Sequence, residues 1–413
     1  MKIKCLGGCR EVGRNAFLID GKEKILLDYG LIVEDNELPG PVEKVDSIVL
    51  GHAHLDHCGS VPMLYRKFKV PIYQTAATLE QSNMLLNDSL KIAKLNELVK
   101  HFGEADIEKM NKHKVIVTYG QKVETDNFSM NIFDAGHIPG SMAPLIETGR
   151  KRILYASDFN VNPTRLLNGA NINAKNVDAL ILESTYSNRN HPDRRETEKK
   201  FFEAVKTTID NGGVAVIPSF AIARAAEILM IMDSFKADFP IYVDGMAKAA
   251  TQAALNYPEL IRDPKALQKA VEDVKLIYSN EDRKKIIQEP CAIVSSSGLL
   301  NGGPSVYYVK YLYSEPESSI IFTGYMIPRT AGRYLLDTGR FVTEGVDLKI
   351  KMGLFQFDFS AHSGRDNLFD FVKKISPKKV ICVHGDNCER FATELRGRGF
   401  DAVAPKMGEE VDV

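Results

Sequence analysis

The sequence predicts an α/β fold in which one α/β domain is interrupted by a second. Three observations carry this expectation. Short apolar runs recur along the chain, and several of them end in a histidine, an aspartate or a glutamate. Segments of helical periodicity follow these runs, as they do in sheets covered by helices. The texture of the chain also changes after about Asn190 and changes back at about Asp347.

The opening third holds β-type runs at 17–19, 24–27, 47–50, 115–117 and 130–133. Helical periodicity occupies 78 to about 98, where Leu79, Leu85, Leu86, Leu90 and Leu95 recur near three and four. Strands resume at 153–155 and 179–182. Beyond Asn190 come a charged helix at 191–205, a strand at 214–218 and an amphipathic helix at 223–234. A strand at 241–243, a helix at 247–254 and a strand at 292–294 follow, the last running into a serine/glycine loop. Strand–turn–helix repetition predicts parallel βα units, a small doubly wound layer. The chain closes with a strand at 379–384 and a helix near 389–398. The expected domains are 1–190, 191–346 and 347–413, the first and third forming one fold.

Composition bounds the function. The 413 residues are 44% hydrophobic and 26% charged, ordinary for a globular protein of two or three domains. With 53 basic against 54 acidic residues the net charge is −1, so only a local basic patch could favour nucleic acid. No apolar run is long enough to span a membrane, and the first residues carry no signal-peptide core, so a cytoplasmic location is expected. The six cysteines form no CxxC pair and are expected to be reduced. Cys58 is expected as buried filling.

The most telling stretch is His52-Ala53-His54-Leu55-Asp56-His57, which follows the apolar run ending at Leu50. Three of the nine histidines sit here. Alternation along an extended chain puts His52 and His54 on one side. Asp56 and His57 come as the backbone turns and can face a second point. Two imidazoles for one metal and a carboxylate–imidazole pair for another suit a dinuclear zinc site.

The motif of an apolar strand followed by a ligand recurs at His137, Asp158, Glu183, His362 and His384. Singly, each reads as well as a helix cap or a core histidine; with the first cluster they read as one site. His101, His113 and His191 are left as surface residues. Asp28 ends another strand and could fix the tautomer of a ligating histidine.

These motifs resemble those of the metallo-β-lactamase superfamily, in its β-CASP nucleic-acid-processing branch, and the resemblance covers essentially the whole chain. It rests on Asp28, His52-x-His54-x-Asp56-His57, His137, Asp158, Glu183, His362 and His384, in that order. The opening Gly7-Gly8-Cys9-Arg10-Glu11-Val12-Gly13-Arg14-Asn15 is similar to that of archaeal cleavage-and-polyadenylation-specificity-factor homologues, here expected in a short form without KH domains; ribonuclease J has a related opening. The resemblance implies a four-layer αββα sandwich with an inserted α/β domain. It implies two zinc ions per chain, one on His52, His54 and His137, the other on Asp56, His57 and His384, with Asp158 bridging.

A histidine at the last motif, His384, favours RNA over DNA by analogy. The function expected is therefore a zinc-dependent ribonuclease on single-stranded RNA, as endonuclease, 5′–3′ exonuclease or both. A DNA-processing nuclease, a small-molecule metallohydrolase and a non-catalytic RNA-binding subunit are the competing readings. Asp56, Glu183 and His362 form the expected catalytic set, with His362 as general acid oriented by Glu183. RNA phosphates are expected at the loop carrying Ser296, Ser297 and Gly298, at Arg224, Arg329 and Arg333, and at Ser360 and Ser363 beside His362. The family admits a homodimer and a larger RNA-processing complex.

Overall fold

The computed structural model describes residues 1–413 apart from Glu34, Asn96, Ala221 and Glu344. The chain forms two compact units. One comprises Met1–Pro163, Gly169–Asn190 and Ala361–Val413; the other comprises Thr164–Asn168 and His191–Ser360.

The first unit holds two seven-stranded sheets. One runs in the spatial order Glu410–Asp412, Lys2–Gly7, Ala16–Asp20, Lys24–Leu27, Ser47–Val49, Ile72–Gln74 and Lys114–Ile116. The other runs Ala402–Val403, Lys379–Val383, Ala179–Glu183, Lys151–Tyr155, Met142–Thr148, Phe128–Asp134 and Lys122–Glu124. Side chains alternate across a strand, and here both faces are buried. Phe17, Ile19, Ile25, Leu27 and Val49 share one core with Met130, Ile146, Ile153, Ile181 and Ile381 of the other sheet. Their neighbours Leu18, Leu26 and Ile48 point away, onto Leu86, Ile107 and Met110 of the helices Ala76–Leu95 and Glu104–Lys112. On the far side Leu145, Leu154, Leu180 and Val380 meet Phe371 and Val372 of the helix Arg365–Ile375 and Phe391 and Leu395 of the helix Cys388–Gly397. The result is helix, sheet, sheet, helix. Burial on both faces is why runs such as 47–50 and 179–182 are continuously apolar.

Pairing then decides where the strands end. Lys24–Leu27 and Ser47–Val49 are parallel in one sheet, as are Lys151–Tyr155, Ala179–Glu183 and Lys379–Val383 in the other. Their carboxyl ends therefore emerge along a common edge of each sheet.

The second unit is a parallel six-stranded sheet in the order Lys275–Leu276, Ile241–Asp244, Cys291–Ser295, Val214–Pro218, Ser319–Phe322 and Gly353–Gln356. Alternation again feeds two cores. Ala215, Ile217, Ala292 and Val294 face one layer of helices, while Val214, Val216, Cys291 and Ile293 face another. It is a doubly wound layer.

Two boundaries differ from the expected ones. The return to the first unit falls after Ser360 and not at about Asp347. Gly353–Gln356 is the reason, because it pairs in parallel with Ser319–Phe322 as the outermost strand of the second sheet. Thr164–Asn168 also belongs to the second unit. The backbone N–H groups of Arg165 and Leu166 donate to the buried Glu227 carboxylate (2.9 and 2.7 Å), and the Arg165 guanidinium pairs with Glu198. The helix expected from 191 begins at Arg194, because Pro192 disfavours helical geometry at His191 and Asp193 caps the N–H of Glu196.

Candidate metal centre

Several strand ends of the first unit deliver ligand-type side chains. Leu50-Gly51 leads from Ser47–Val49 into His52 and His54, and the short helix Leu55–Cys58 carries Asp56 and His57. His137 follows Phe128–Asp134, Asp158 follows Lys151–Tyr155, Glu183 ends its strand and His384 follows Lys379–Val383. Tight reversals make room for this. Asp28, Ser157 and His384 hold φ of 55°, 54° and 48°, a left-handed conformation that non-glycine residues adopt at a cost and that concentrates at functional sites. Gly30 permits the closest approach, since a Cβ there would lie 1.8 Å from the carbonyl oxygen of Asp56.

The side chains fall into two groups that share one residue. His52, His54, His137 and Asp158 offer ligand atoms all within 4.8 Å of one another, and so do Asp56, His57, Asp158 and His384. In the first group His54 Nδ1 lies 3.1 Å from His52 Nε2 and 3.1 Å from His137 Nε2. His137 Nδ1 donates to the carbonyl of Ala361 at 2.8 Å, which leaves Nε2 as the bare nitrogen facing inward. His52 Nδ1 is 3.3 Å from Ser157 Oγ. Burial holds His52 and His137 well below the ordinary imidazole range, helped by the neighbouring rings, and brings His54 down to about 4. Three neutral rings thus point lone pairs at one another.

The second group is acidic as well as basic. His57 Nδ1 donates to Asp28 Oδ2 at 2.6 Å, and Asp28 also accepts from the Gly51 N–H and the Tyr155 hydroxyl. Asn15 Nδ2 is 3.0 Å from His57 Nε2 and 3.3 Å from the Asp56 carbonyl. His384 Nε2 is 3.1 Å from Asp56 Oδ2 and its Nδ1 is 3.2 Å from Asp158 Oδ1. Burial disfavours charge on His57 and His384, but Asp158 and Asp56, with Asp28 for His57, outweigh it and raise both rings. The Asp158 carboxyl is held well below its usual range by His384 and His57 against the opposing effect of burial.

A divalent cation fits this arrangement. Asp158 Oδ1 accepts no hydrogen bond although two ring nitrogens lie 3.3 and 3.2 Å away. An orphaned buried carboxylate oxygen between imidazoles, beside a tripod of converging lone pairs, is a donor set that suits a divalent cation. Cys58 is not part of it. Its buried thiol donates to the Ala53 carbonyl, and burial raises it well above the ordinary range.

Beside the two groups, His362 Nδ1 donates to Glu183 Oε1 at 2.9 Å, and His362 Nε2 lies 4.0 Å from Asp158 Oδ2. Burial lowers His362, but the charges of Glu183 and then Asp158 prevail and bring it up to about 9. Glu183 is itself anchored, accepting from the N–H groups of Thr185 and Phe159. A protonated imidazole backed by a carboxylate is the arrangement of a general acid.

Most of the expected phosphate contacts belong to the second unit. Ser296, Ser297 and Gly298 follow Cys291–Ser295 in the second unit, where Ser296 Oγ accepts from the Met246 N–H. In the same unit Arg224 donates to the Thr323 carbonyl, Arg333 is engaged by Asp337, and Arg329 holds φ 68°. Ser360 N–H donates to Asp358. Ser363 corrects an expectation: it is fully buried, and its hydroxyl accepts from the Val161 N–H, so it secures the loop of His362 and does not face solvent. His101 and His113 are partly exposed, and His191 pairs with Asp358. Sequence reasoning missed Asn15, Tyr155 and Ser157. The only signal was position: Asn15 ends the glycine-rich opening, and the other two precede Asp158 on one strand end.

Fold and site define a class, the metal-dependent hydrolases of the metallo-β-lactamase type. Residues 17–185 match the metallo-β-lactamase superfamily domain, 225–335 the Beta-Casp domain and 347–405 the Zn-dependent metallo-hydrolase RNA specificity domain. The chain is 37% identical to "Probable RNase MJ4" of Methanocaldococcus jannaschii, covering all of both chains. It is 33% identical to "RNase aCSPSF2" of Saccharolobus solfataricus over all of this chain and 85% of that one. "Transcription termination factor FttA" of Methanocaldococcus jannaschii is 32% identical over 96% of this chain and 69% of its own length. In fold the chain is similar to a crystal structure of a protein of unknown function from Enterococcus faecalis V583, with TM-score 0.61 at 15% identity, covering 99% of each chain. The chain belongs to the metallo-β-lactamase superfamily, in its β-CASP branch. It is a metal-dependent hydrolase of the nuclease class.

Proposed function

We propose that this chain is a zinc-dependent ribonuclease that hydrolyses phosphodiester bonds of single-stranded RNA in the cytoplasm, with two zinc ions held by the two ligand groups. The observation that carries the reading is the pair of groups sharing Asp158, with the His362–Glu183 pair alongside. Relatives named as ribonucleases and the matched RNA specificity domain support RNA as the substrate.

His52, His54 and His137 would hold one ion, Asp56, His57 and His384 the other, with Asp158 common to both. When bound, such a pair supplies Lewis acidity and a water acidified to a pKa of about 7. The protein's own residues do the rest. Asp28 holds the proton on His57 Nδ1 and so keeps Nε2 free to ligate. The Ala361 carbonyl does the same for His137. His362 carries a proton at Nε2 and gives it to the leaving 3′ oxygen, while Glu183 keeps the ring oriented and charged.

Digestion of end-labelled RNA with and without a chelator tests this reading. Cleavage abolished by chelation and restored by zinc supports it; cleavage that survives complete metal removal overturns it. A circular RNA that is cut indicates internal cleavage, whereas resistance of the circle with decay of a 5′-monophosphate linear RNA indicates the 5′–3′ exonuclease mode. Cleavage of DNA in place of RNA would transfer the assignment to a DNA-processing nuclease.

A further inference from the structure

In the first unit, at the end of the sheet holding Lys151–Tyr155 that lies opposite the candidate centre, there is a cavity of about 660 Å³. Five cations line it, Arg150, Arg152, Lys175, Lys374 and Lys378, against one carboxylate, Asp178. The strands explain the location. Lys151–Tyr155, Ala179–Glu183 and Lys379–Val383 present their carboxyl ends to the ligand groups, so their amino ends, with Arg150, Asp178 and Lys378, lie at the other edge. The helix Arg365–Ile375 finishes there with Lys373 and Lys374.

Acidic partners neutralise only part of this charge. Lys378 Nζ is 2.8 Å from Asp178 Oδ1, and Arg152 Nη1 is 2.7 Å from Glu147. Among the described residues Arg150, Lys175 and Lys374 make no ion pair, and all three are exposed. A C-terminal lysine suits the helix dipole, which accounts for Lys374 but not for Arg150 or Lys175. In a chain of net charge −1, five cations against one lining carboxylate make a local positive patch.

We propose that this cavity is a second binding site for the phosphodiester backbone of RNA, which holds a part of the substrate remote from the cleaved bond. The proposal rests on the ribonuclease reading for the identity of the polyanion. Three of the five cations are lysines, point charges that suit a repeating phosphate, whereas recognition of acidic peptide motifs relies on clustered arginine. Five-residue strands separate the two ends of the sheet by about 17 Å at ~3.3 Å per residue. Four stacked nucleotides cover only about 14 Å at 3.4 Å each. A stacked RNA of that length held at the centre falls short of the cavity, whereas one of about 20 nucleotides exceeds the separation several-fold.

The test is the zinc-loaded enzyme carrying Arg150→Glu, Lys175→Glu and Lys374→Glu together, with the corresponding glutamine triple variant as a control for folding. Steady-state cleavage of RNAs of about 4 and about 20 nucleotides is followed as salt is varied. For the long RNA, kcat/KM is expected to fall about tenfold at low salt and the salt slope by about 2, three phosphates at ~0.7 each. For the short RNA it should be unchanged. Unchanged cleavage of the long RNA overturns the proposal, as does an equal loss on both lengths. If the unaltered enzyme cuts neither RNA, the ribonuclease reading fails; binding of the 20-mer to the two proteins then still decides whether the cavity takes RNA. A polyglutamate peptide that binds the cavity more tightly than the 20-mer would assign it to a protein partner and overturn the proposal.

Discussion

Asp28 is fully buried, and three groups converge on its carboxylate: the Nδ1–H of His57, the Gly51 N–H and the Tyr155 hydroxyl. Partners of ligating histidines typically contribute 10–100-fold to metal affinity. Asp28→Ala should therefore weaken binding of one metal about 10–100-fold in a chelator competition; full affinity in the variant would remove Asp28 from the scheme. His362 gives a pH prediction. Its ring, lowered by burial but raised more by Glu183 and Asp158, sits at about 9, so it is protonated below that pH and loses its proton as pH rises. A general acid must carry the proton, so kcat should fall on an alkaline limb at or below pH about 9. Glu183→Gln removes the supporting charge and should move that limb to lower pH, with metal content unchanged. His362→Ala should lower kcat by about 10²–10⁴ with both metals retained; an unaltered rate in that variant would remove its role as acid.

Elements, and the turns that end them, hold these side chains in place. Gly30 has no room for a methyl group, because the carbonyl of Asp56 occupies the position. Gly30→Ala should destabilise the first unit by about 3 kcal/mol or more, read from urea denaturation; an unchanged midpoint would contradict the close approach. In the second unit the buried Glu227 carboxylate receives Arg165 N–H, Leu166 N–H and the Arg194 guanidinium. Glu227→Ala strands those donors and should cost about 3–5 kcal/mol, with proteolysis near Thr164–Asn168 as a sensitive readout. Most strands were legible in the sequence because their apolar runs are bounded by glycine and polar residues. The strand Gly353–Gln356 was not legible as part of the second unit's sheet, since residues from 347 read as a return to the opening fold. Pairing register is a property of partners distant along the chain, and no local pattern encodes it.

At the scale of the whole molecule, two parallel arrangements of strands bring residues from His52 to His384 to one place, although they lie far apart in the chain. The pairing of His52 with His54 was readable because alternation constrains neighbours, and that of Asp56 with His57 because the chain turns after the strand. Asn15 and Ser157 were not, since an amide or a hydroxyl gains its role only from what folding sets beside it. Ser363 shows the converse, a residue adjacent to His362 in sequence yet turned into the interior. Asp158 joins the two ligand groups, so the account concentrates on it. The most direct test is to count bound zinc and measure RNA cleavage on the same preparations of the unaltered protein and of Asp158→Ala. The account predicts two zinc ions and chelator-sensitive cleavage in the first, with reduced zinc content and no cleavage in the second. An Asp158→Ala protein that cuts RNA at the full rate would contradict it.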